Sequence, residues 1–208
     1  MAADRTWPVA SFERVQVEGP VEVEIAVGSP RAQASADERS TLDRLTMAVE
    51  GNVLVVRLPG LTGPARARVL LATPRLVALR HRGPGTVAVA RLSGERVDVS
   101  TTGDGAVSVA AVDTPDLAAT LVGKGRLTLA GRAARTRLIL NGDGLLDAAA
   151  LTAGEVDASL VGGGEVRGAG RYTARVVARG EGRVSIAGPM PCTVRSAGGA
   201  KVSCGGRK

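Results

Sequence analysis

Three charged residues at similar positions in a repeated pattern are the best candidates for chemistry in this chain. Asp104, Lys124 and Asp143 each lie between two glycines, 20 and 19 residues apart. Carboxylates beside a cation can act as general acid and base on an acidic sugar, which makes this trio the one candidate catalytic constellation. The competing interpretation is lateral ion pairing on a surface, where such pairs contribute little.

The histidine content excludes most metal and triad chemistry. His81 is the only histidine, in the run Arg80-His81-Arg82. Neither a histidine-based metal site nor a Ser-His-Asp arrangement has other residues to build on. We therefore expect no metal, no cofactor and an exposed His81 at a corner.

The two cysteines allow two interpretations. Cys192 and Cys204 are the only cysteines and lie twelve residues apart, in the last repeat. They could be buried thiols that act as small hydrophobic residues, or a disulfide that fixes the last repeat in an oxidising compartment. A redox-active pair would have only two intervening residues.

The elements that position these residues are short strands separated by glycine corners. Seven units share this pattern, and an apolar-alternating run follows each corner. The first glycines of the units are Gly83, Gly103, Gly123, Gly142, Gly162, Gly180 and Gly198. Successive first glycines are 20, 20, 19, 20, 18 and 18 residues apart. A period near twenty with one or two strands per unit is typical of a stacked solenoid. A nucleotide-binding interpretation fails because no third glycine and no helix follow.

Alternation within each unit predicts which side chains face inward. Positions six, four and two before the first glycine, and four and six after it, are mostly apolar and should form the core. The residue between the glycines should face outward, which predicts a ladder of Asp104, Lys124 and Asp143. Two further outward ladders are predicted, one of Arg137, Asp157 and Arg175, the other of Asp147 and Arg167. Asp104, Lys124, Asp143, Arg137 and Arg175 are thus the candidate ligand-binding residues.

The region before the repeats looks different. Residues 1–10 read as a flexible leader, and residues 11–66 as an N-terminal antiparallel β cap distinct from the repeats. The cap contains strands near Thr46–Val49 and Val53–Leu58 and at most one helical turn near Asp37–Leu45. Residues 67–208 form the solenoid, in one continuous domain with the cap.

Composition limits the partners. The chain has 208 residues, with 44% hydrophobic but 1% aromatic, so ring-stacking sites for sugars or single-stranded nucleic acid have few residues to use. The net charge of +7 comes almost wholly from arginine and is dispersed. It favours acidic glycans, lipopolysaccharide or other anionic surfaces over nucleic acid, although it could also be a solubilising exterior. The run MAADRTWPVASF lacks a signal-peptide pattern, which leaves a cytoplasmic start and a mature secreted chain both open.

The order of these motifs resembles one family. FERVQVEGPVEVEIAVG, EGNVLVVRL and RVLLATPRLVALRHRGPGTVAV, followed by Gly-Asp-Gly corners, are similar to the head GIN domain family of auto-transporter adhesins over residues 11–204. The resemblance implies a right-handed parallel β-helix shaped like pectin lyases, without a known set of catalytic residues. It also implies a bacterial protein that is periplasmic, secreted or on the cell surface.

Together these observations predict an all-β chain of about seven rungs, each of 18–20 residues. The expected function is a non-enzymatic binding or structural module, adhesive in role, with a basic face for acidic glycan, lipid or protein partners. A polysaccharide lyase or hydrolase and a scaffold that oligomerises through the terminal rung are the alternatives.

Overall fold

A computed structural model describes residues 3–59 and 67–205 and shows a parallel β-helix with one short helix in those ranges. The first half contains β1 (Ala3–Trp7), β2 (Arg14–Glu18), β3 (Val21–Val27), β4 (Arg31–Ala36), α1 (Arg39–Arg44), β5 (Thr46–Glu50), β6 (Val53–Arg57), β7 (Ala67–Thr73), β8 (Ala78–Arg82) and β9 (Thr86–Val89). The second half contains β10 (Leu92–Ser93), β11 (Arg96–Thr102), β12 (Ala106–Val122), β13 (Arg126–Asn141), β14 (Leu145–Val161), β15 (Glu165–Gly180), β16 (Arg183–Ala187), β17 (Cys192–Gly198) and β18 (Lys201–Cys204).

The seven predicted repeats stack in parallel and in register. A rung is here the pair of strand segments on either side of one corner glycine. Residues at equivalent positions pair directly from rung to rung: Val107 with Leu127, Leu127 with Leu146 and Leu146 with Val166. The predicted solenoid, its period and its register are therefore confirmed.

The corners from Gly83 to Gly180 need their two glycines for different reasons. The first has positive φ, as at Gly142 (φ 126°), a conformation that a side chain opposes. The second packs against the preceding rung: a Cβ on Gly164 would come 2.5 Å from the carbonyl oxygen of Gly144. A side chain at either position would therefore disturb the corner.

The N-terminal region is not distinct from the stack, and that prediction is wrong. β2 and β3 pair in parallel with β8 and β9 on one side, and with β6 and β7 on the other. Gly19 (φ 104°) is their corner. Residues 14–27 are thus a rung inserted between two rungs that follow it in sequence.

The antiparallel cap is smaller than predicted. β5 pairs antiparallel with β6, β4 with β7, and β1 with β4. The expected leader therefore contains a strand, because Ala3–Trp7 lies at the outer edge of this cap. The predicted strands near residues 46–58 and the helical turn are present, whereas the predicted boundary at residue 66 lies outside the described residues.

Inward side chains at equivalent positions of successive rungs stack into continuous apolar columns. Leu79, Val99, Ala119, Leu138, Ala158 and Val176 occupy one column and are all buried. At the C-terminal end nothing in the described residues covers the column, since β17 pairs only with β15 and Val194 is 43% exposed. The stack is closed at its N-terminal end and open at the other.

Candidate functional site

The predicted corner trio lines one shallow groove. Asp104, Lys124 and Asp143 are exposed and border a cavity of about 590 Å³ along the corners. No ion pair within the described residues joins Lys124 to either aspartate. Asp143 Oδ1 instead accepts a hydrogen bond from the Gly163 amide at 3.1 Å, so part of its role is to fix the next corner.

The other predicted ladders also align. Arg137 pairs in register with Asp157, and Asp157 with Arg175, on the outer surface before the corners. Among the described residues, no direct ion pair joins Asp157 to Arg137 or to Arg175. Asp147 and Arg167 do form the predicted pair, with Oδ2 and Nη1 3.8 Å apart.

Ion pairs with shorter distances join the middle of β12 to the middle of β13, where the sequence predicted no ladder. Arg132 holds Asp113 through two contacts of 2.8 and 3.0 Å, and Arg91 reaches the same carboxylate. The hydrogen bond from Arg132 is the main reason that the pKa of Asp113 lies below its usual value. Arg135 holds Asp116 in the same way three residues further along the same two strands. Each of these three arginines is therefore engaged by a carboxylate.

His81 is buried, and the prediction of an exposed corner histidine is wrong. It is 1% exposed and stands between Val17 and Thr101 in an inward column. Neither ring nitrogen has a hydrogen-bond partner among the described residues. Burial lowers the pKa of His81 to about 4, because the charged ring would be desolvated. His81 therefore belongs to the core and does not act in a surface site.

The two cysteines form a disulfide. Cys192 in β17 and Cys204 in β18 are bonded, with their Cα atoms 6.1 Å apart. The bond links the two strands of the last rung across the open end. Of the two interpretations of the cysteines, the disulfide is the one that the structure supports.

Positive charge collects on one side of the stack, which we call the basic face. It consists of the side chains one, three and five residues before the corner glycines from Gly19 to Gly198. Seven are arginines (Arg14, Arg80, Arg82, Arg137, Arg175, Arg179 and Arg195) and three are acidic (Glu18, Asp98 and Asp157). The outward positions three and five after the same glycines are balanced, with four of each sign (Arg126, Arg167, Arg183 and Lys201; Glu22, Glu24, Asp147 and Glu165).

The arginines of the basic face are free of ion pairs within the described part of the chain. Two of its three acids have other partners: Glu18 lies 2.6 Å from Arg57, and Asp98 lies 3.4 Å from Arg96. The hydrogen bond from Arg57 lowers the pKa of Glu18. The free cations of the stack are therefore concentrated on a surface that can meet an anionic partner.

A concavity of about 610 Å³ lies in the N-terminal half of this face, and we call it the arginine groove. It is lined by outward residues of five successive rungs: Val53, Arg14, Gln16, Ala78, Arg80, Arg82, Asp98, Ser100, Thr102, Ala118 and Thr120. Sequence reasoning singled out Arg137 and Arg175 on the same face but missed the groove. Arg80 and Arg82 lie three residues and one residue before Gly83. The same counting would therefore have placed them on the basic face.

The described ranges hold no helix long and apolar enough to cross a membrane. No curated protein matches the chain. Solved structures with the same fold include a putative adhesin from Bacteroides fragilis NCTC 9343, with a TM-score of 0.86, 20% identity and coverage of 98% of this chain and 97% of that one. A putative lipid binding protein from Parabacteroides distasonis ATCC 8503 matches with a TM-score of 0.74, 16% identity and coverage of 97% and 95%.

The family expected from the order of the motifs is also found. The model of the family described as "Putative auto-transporter adhesin, head GIN domain" matches residues 11–189. The matched stretch begins just before β2 and runs through β16, and thus covers nearly the whole stack. The chain belongs to the head GIN domain family.

Proposed function

We propose that this protein is a non-enzymatic binding module of the bacterial surface or periplasm, adhesive in role, that holds anionic partners on its basic face. The observation that carries the proposal is the uneven charge: seven arginines against three acids on that face, and balanced charge on the neighbouring one. A dispersed, merely solubilising charge would not separate by face.

Two further observations support an extracytoplasmic location. The Cys192–Cys204 disulfide is typical of an oxidising compartment. The family description names adhesins, and structures of the same fold bear the names adhesin and lipid binding protein. Surface attachment is the role that agrees with these features.

Two triple variants of equal charge test the binding face. Replacement of Arg82, Arg137 and Arg175 by Gln removes three charges from the basic face, and replacement of Arg126, Arg183 and Lys201 by Gln removes three from the neighbouring face. Binding to immobilised heparin, polygalacturonate and neutral dextran would be measured at low and high salt. We expect the first triple to weaken binding to the acidic polymers at least about tenfold and the second less than about threefold. Equal losses would reject the basic face as the binding surface.

The same polymers test the enzymatic alternative. Turnover of polygalacturonate or heparin, lost when Asp104, Lys124 and Asp143 are replaced by Ala, would reject the non-enzymatic proposal. We expect no turnover above that of the triple variant, because the groove along the corners is shallow and exposed.

The scaffold alternative is supported by the open last rung, since the outer edges of β17 and β18 pair with no further strand in the described part of the chain. Light scattering over a range of concentrations tests it. A chain that stays monomeric at high concentration would exclude the scaffold.

A further inference from the structure

The arginine groove differs from the rest of the basic face in its shape. At its centre the outward positions of successive rungs hold small side chains, Ala78, Ser100 and Ala118. Longer side chains stand around them, with Arg14 one rung below and Arg80 and Arg82 on β8. Small residues bordered by long ones make a depression in an otherwise flat sheet surface.

The three arginines converge on this depression with free guanidinium groups. Arg80 and Arg82 are two residues apart on one strand, which places their Cα atoms about 7 Å apart. Arg14 pairs with Ala78, the residue two before Arg80, and therefore lies diagonally across from Arg80. Their planar forks can each hold a sulfate, phosphate or carboxylate through two hydrogen bonds.

Hydroxyl and carboxylate groups complete the lining. Ser100 and Thr120 are half-buried, and Thr102 is exposed at the rim beside Arg82. Asp98 adds an acceptor that Arg96 holds in place. A ligand that carries both acidic groups and many hydroxyls would find partners for both.

The groove excludes two other classes of partner by its construction. The backbone of β8 and β11 is paired with strands on both sides, so no free edge is available for an added peptide strand. The outward apolar side chains at its centre are alanines, too small to insert among lipid chains. Recognition must therefore be made by side chains with a polar, anionic ligand.

We propose that the arginine groove is the specific subsite of the module and that it takes a sulfated or carboxylated oligosaccharide. Arg80 and Arg82 bind successive acidic groups, Arg14 binds a third, and Ser100 and Thr120 bind sugar hydroxyls. The proposal rests on the proposed function, because it assigns that anion binding to one place on the basic face.

Binding of a short heparin-derived oligosaccharide, measured by calorimetry, tests the subsite. We expect Arg80→Gln with Arg82→Gln to weaken binding at least about tenfold, since two charge-assisted contacts are lost. Ser100→Leu fills the depression without a change of charge and should weaken binding by a similar factor. The matched control, Arg126→Gln with Arg183→Gln, removes the same charge from the neighbouring face and should retain binding within about threefold.

The outcomes separate this inference from the proposed function. If Arg80→Gln with Arg82→Gln keeps binding while the triple variant at Arg82, Arg137 and Arg175 loses it, the basic face still binds anions but the groove is not the site. Binding to vesicles of phosphatidylglycerol in phosphatidylcholine, with none to heparin or polygalacturonate oligosaccharides, would overturn the saccharide assignment. Absence of binding to both would overturn the groove and the proposed function together.

Discussion

The imidazole of His81 lies inside the stack with both nitrogens unpartnered, and this makes stability depend on pH. The pKa of the ring is about 4 in the folded chain and 6.5 in the unfolded one. Between these values the unfolded chain binds a proton that the folded chain does not, so stability is lost as the pH falls from 6.5 toward 4. The loss from this residue is about 3 kcal/mol.

Urea unfolding at pH 7, 5.5 and 4 measures this loss, with His81→Leu as the comparison. Carboxylates titrate in both proteins, so the difference between their pH profiles isolates the histidine. We expect the wild type to lose more stability than the variant over this range. Parallel profiles would show that the ring is accessible to water or protons.

Two adjacent glycines at one corner should differ sharply in their tolerance of a methyl group. A Cβ on Gly164 would lie 2.5 Å from the Gly144 carbonyl oxygen and 2.8 Å from a methyl of Leu140, both held by the rung below. A Cβ on Gly163 would meet only the end of the Asp143 side chain, at 2.9 Å, which can rotate away with the loss of its exposed hydrogen bond from the Gly163 amide. Gly164→Ala should lower the free energy of unfolding by about 2 kcal/mol or more, and Gly163→Ala by at most about 1 kcal/mol. Similar costs would argue against tight stacking of the corners.

Among the elements, β1 gives the most direct test of the N-terminal cap. It pairs with β4, and Trp7, the only tryptophan, packs against the core with the Arg5 guanidinium 4.9 Å from its ring. Deletion of residues 1–10 would expose the edge of β4, a template for association with other chains. We expect the truncated protein to unfold at lower temperature and to aggregate. Unchanged stability and solubility would mean that these residues are a leader after all.

The disulfide belongs to the last rung and should protect that rung in particular. Cross-links over short loops contribute about 3 kcal/mol in the chain-entropy account. In a stack where each rung contacts only its neighbours, the loss should stay local. Reduction, or Cys192→Ser with Cys204→Ser, should speed amide hydrogen exchange in residues 192–204 and leave residues 127–160 unchanged. Uniform acceleration along the chain would contradict this local role.

Elements differ in how far the sequence predicts them. The corners and columns follow from alternation and from glycine at a fixed period, and they are confirmed at Gly103, Gly142 and Gly164. The insertion of β2 and β3 between later rungs leaves no such signal, because periodicity does not say which rungs are neighbours. His81 was misplaced because its flanking arginines suggested a surface, although two residues before Gly83 is an inward position. Counting back from Gly83 and Gly103 aligns Arg80 with Ser100, but the place of Arg14 in the arginine groove depends on that insertion and could not be predicted.

At the scale of the whole molecule, the two ends of the stack are unequal. Val56 in β6 and Val194 in β17 face inward in the rungs at opposite ends. Val56 is fully buried because β5 and the rest of the cap lie over its rung, whereas Val194 is 43% exposed. Apolar burial should therefore stabilise the N-terminal end far more than the C-terminal end.

The same substitution at both ends measures this asymmetry. Val56→Ala removes two buried methyl groups and leaves a cavity, and should lower the free energy of unfolding by about 2 to 3 kcal/mol. Val194→Ala removes groups that water already reaches, and should cost less than about 1 kcal/mol. Chemical denaturation of both variants beside the wild type gives the comparison, provided that each protein is monomeric. A large cost at Val194 would mean that the open rung is covered in solution, since burial is what makes the methyl groups matter.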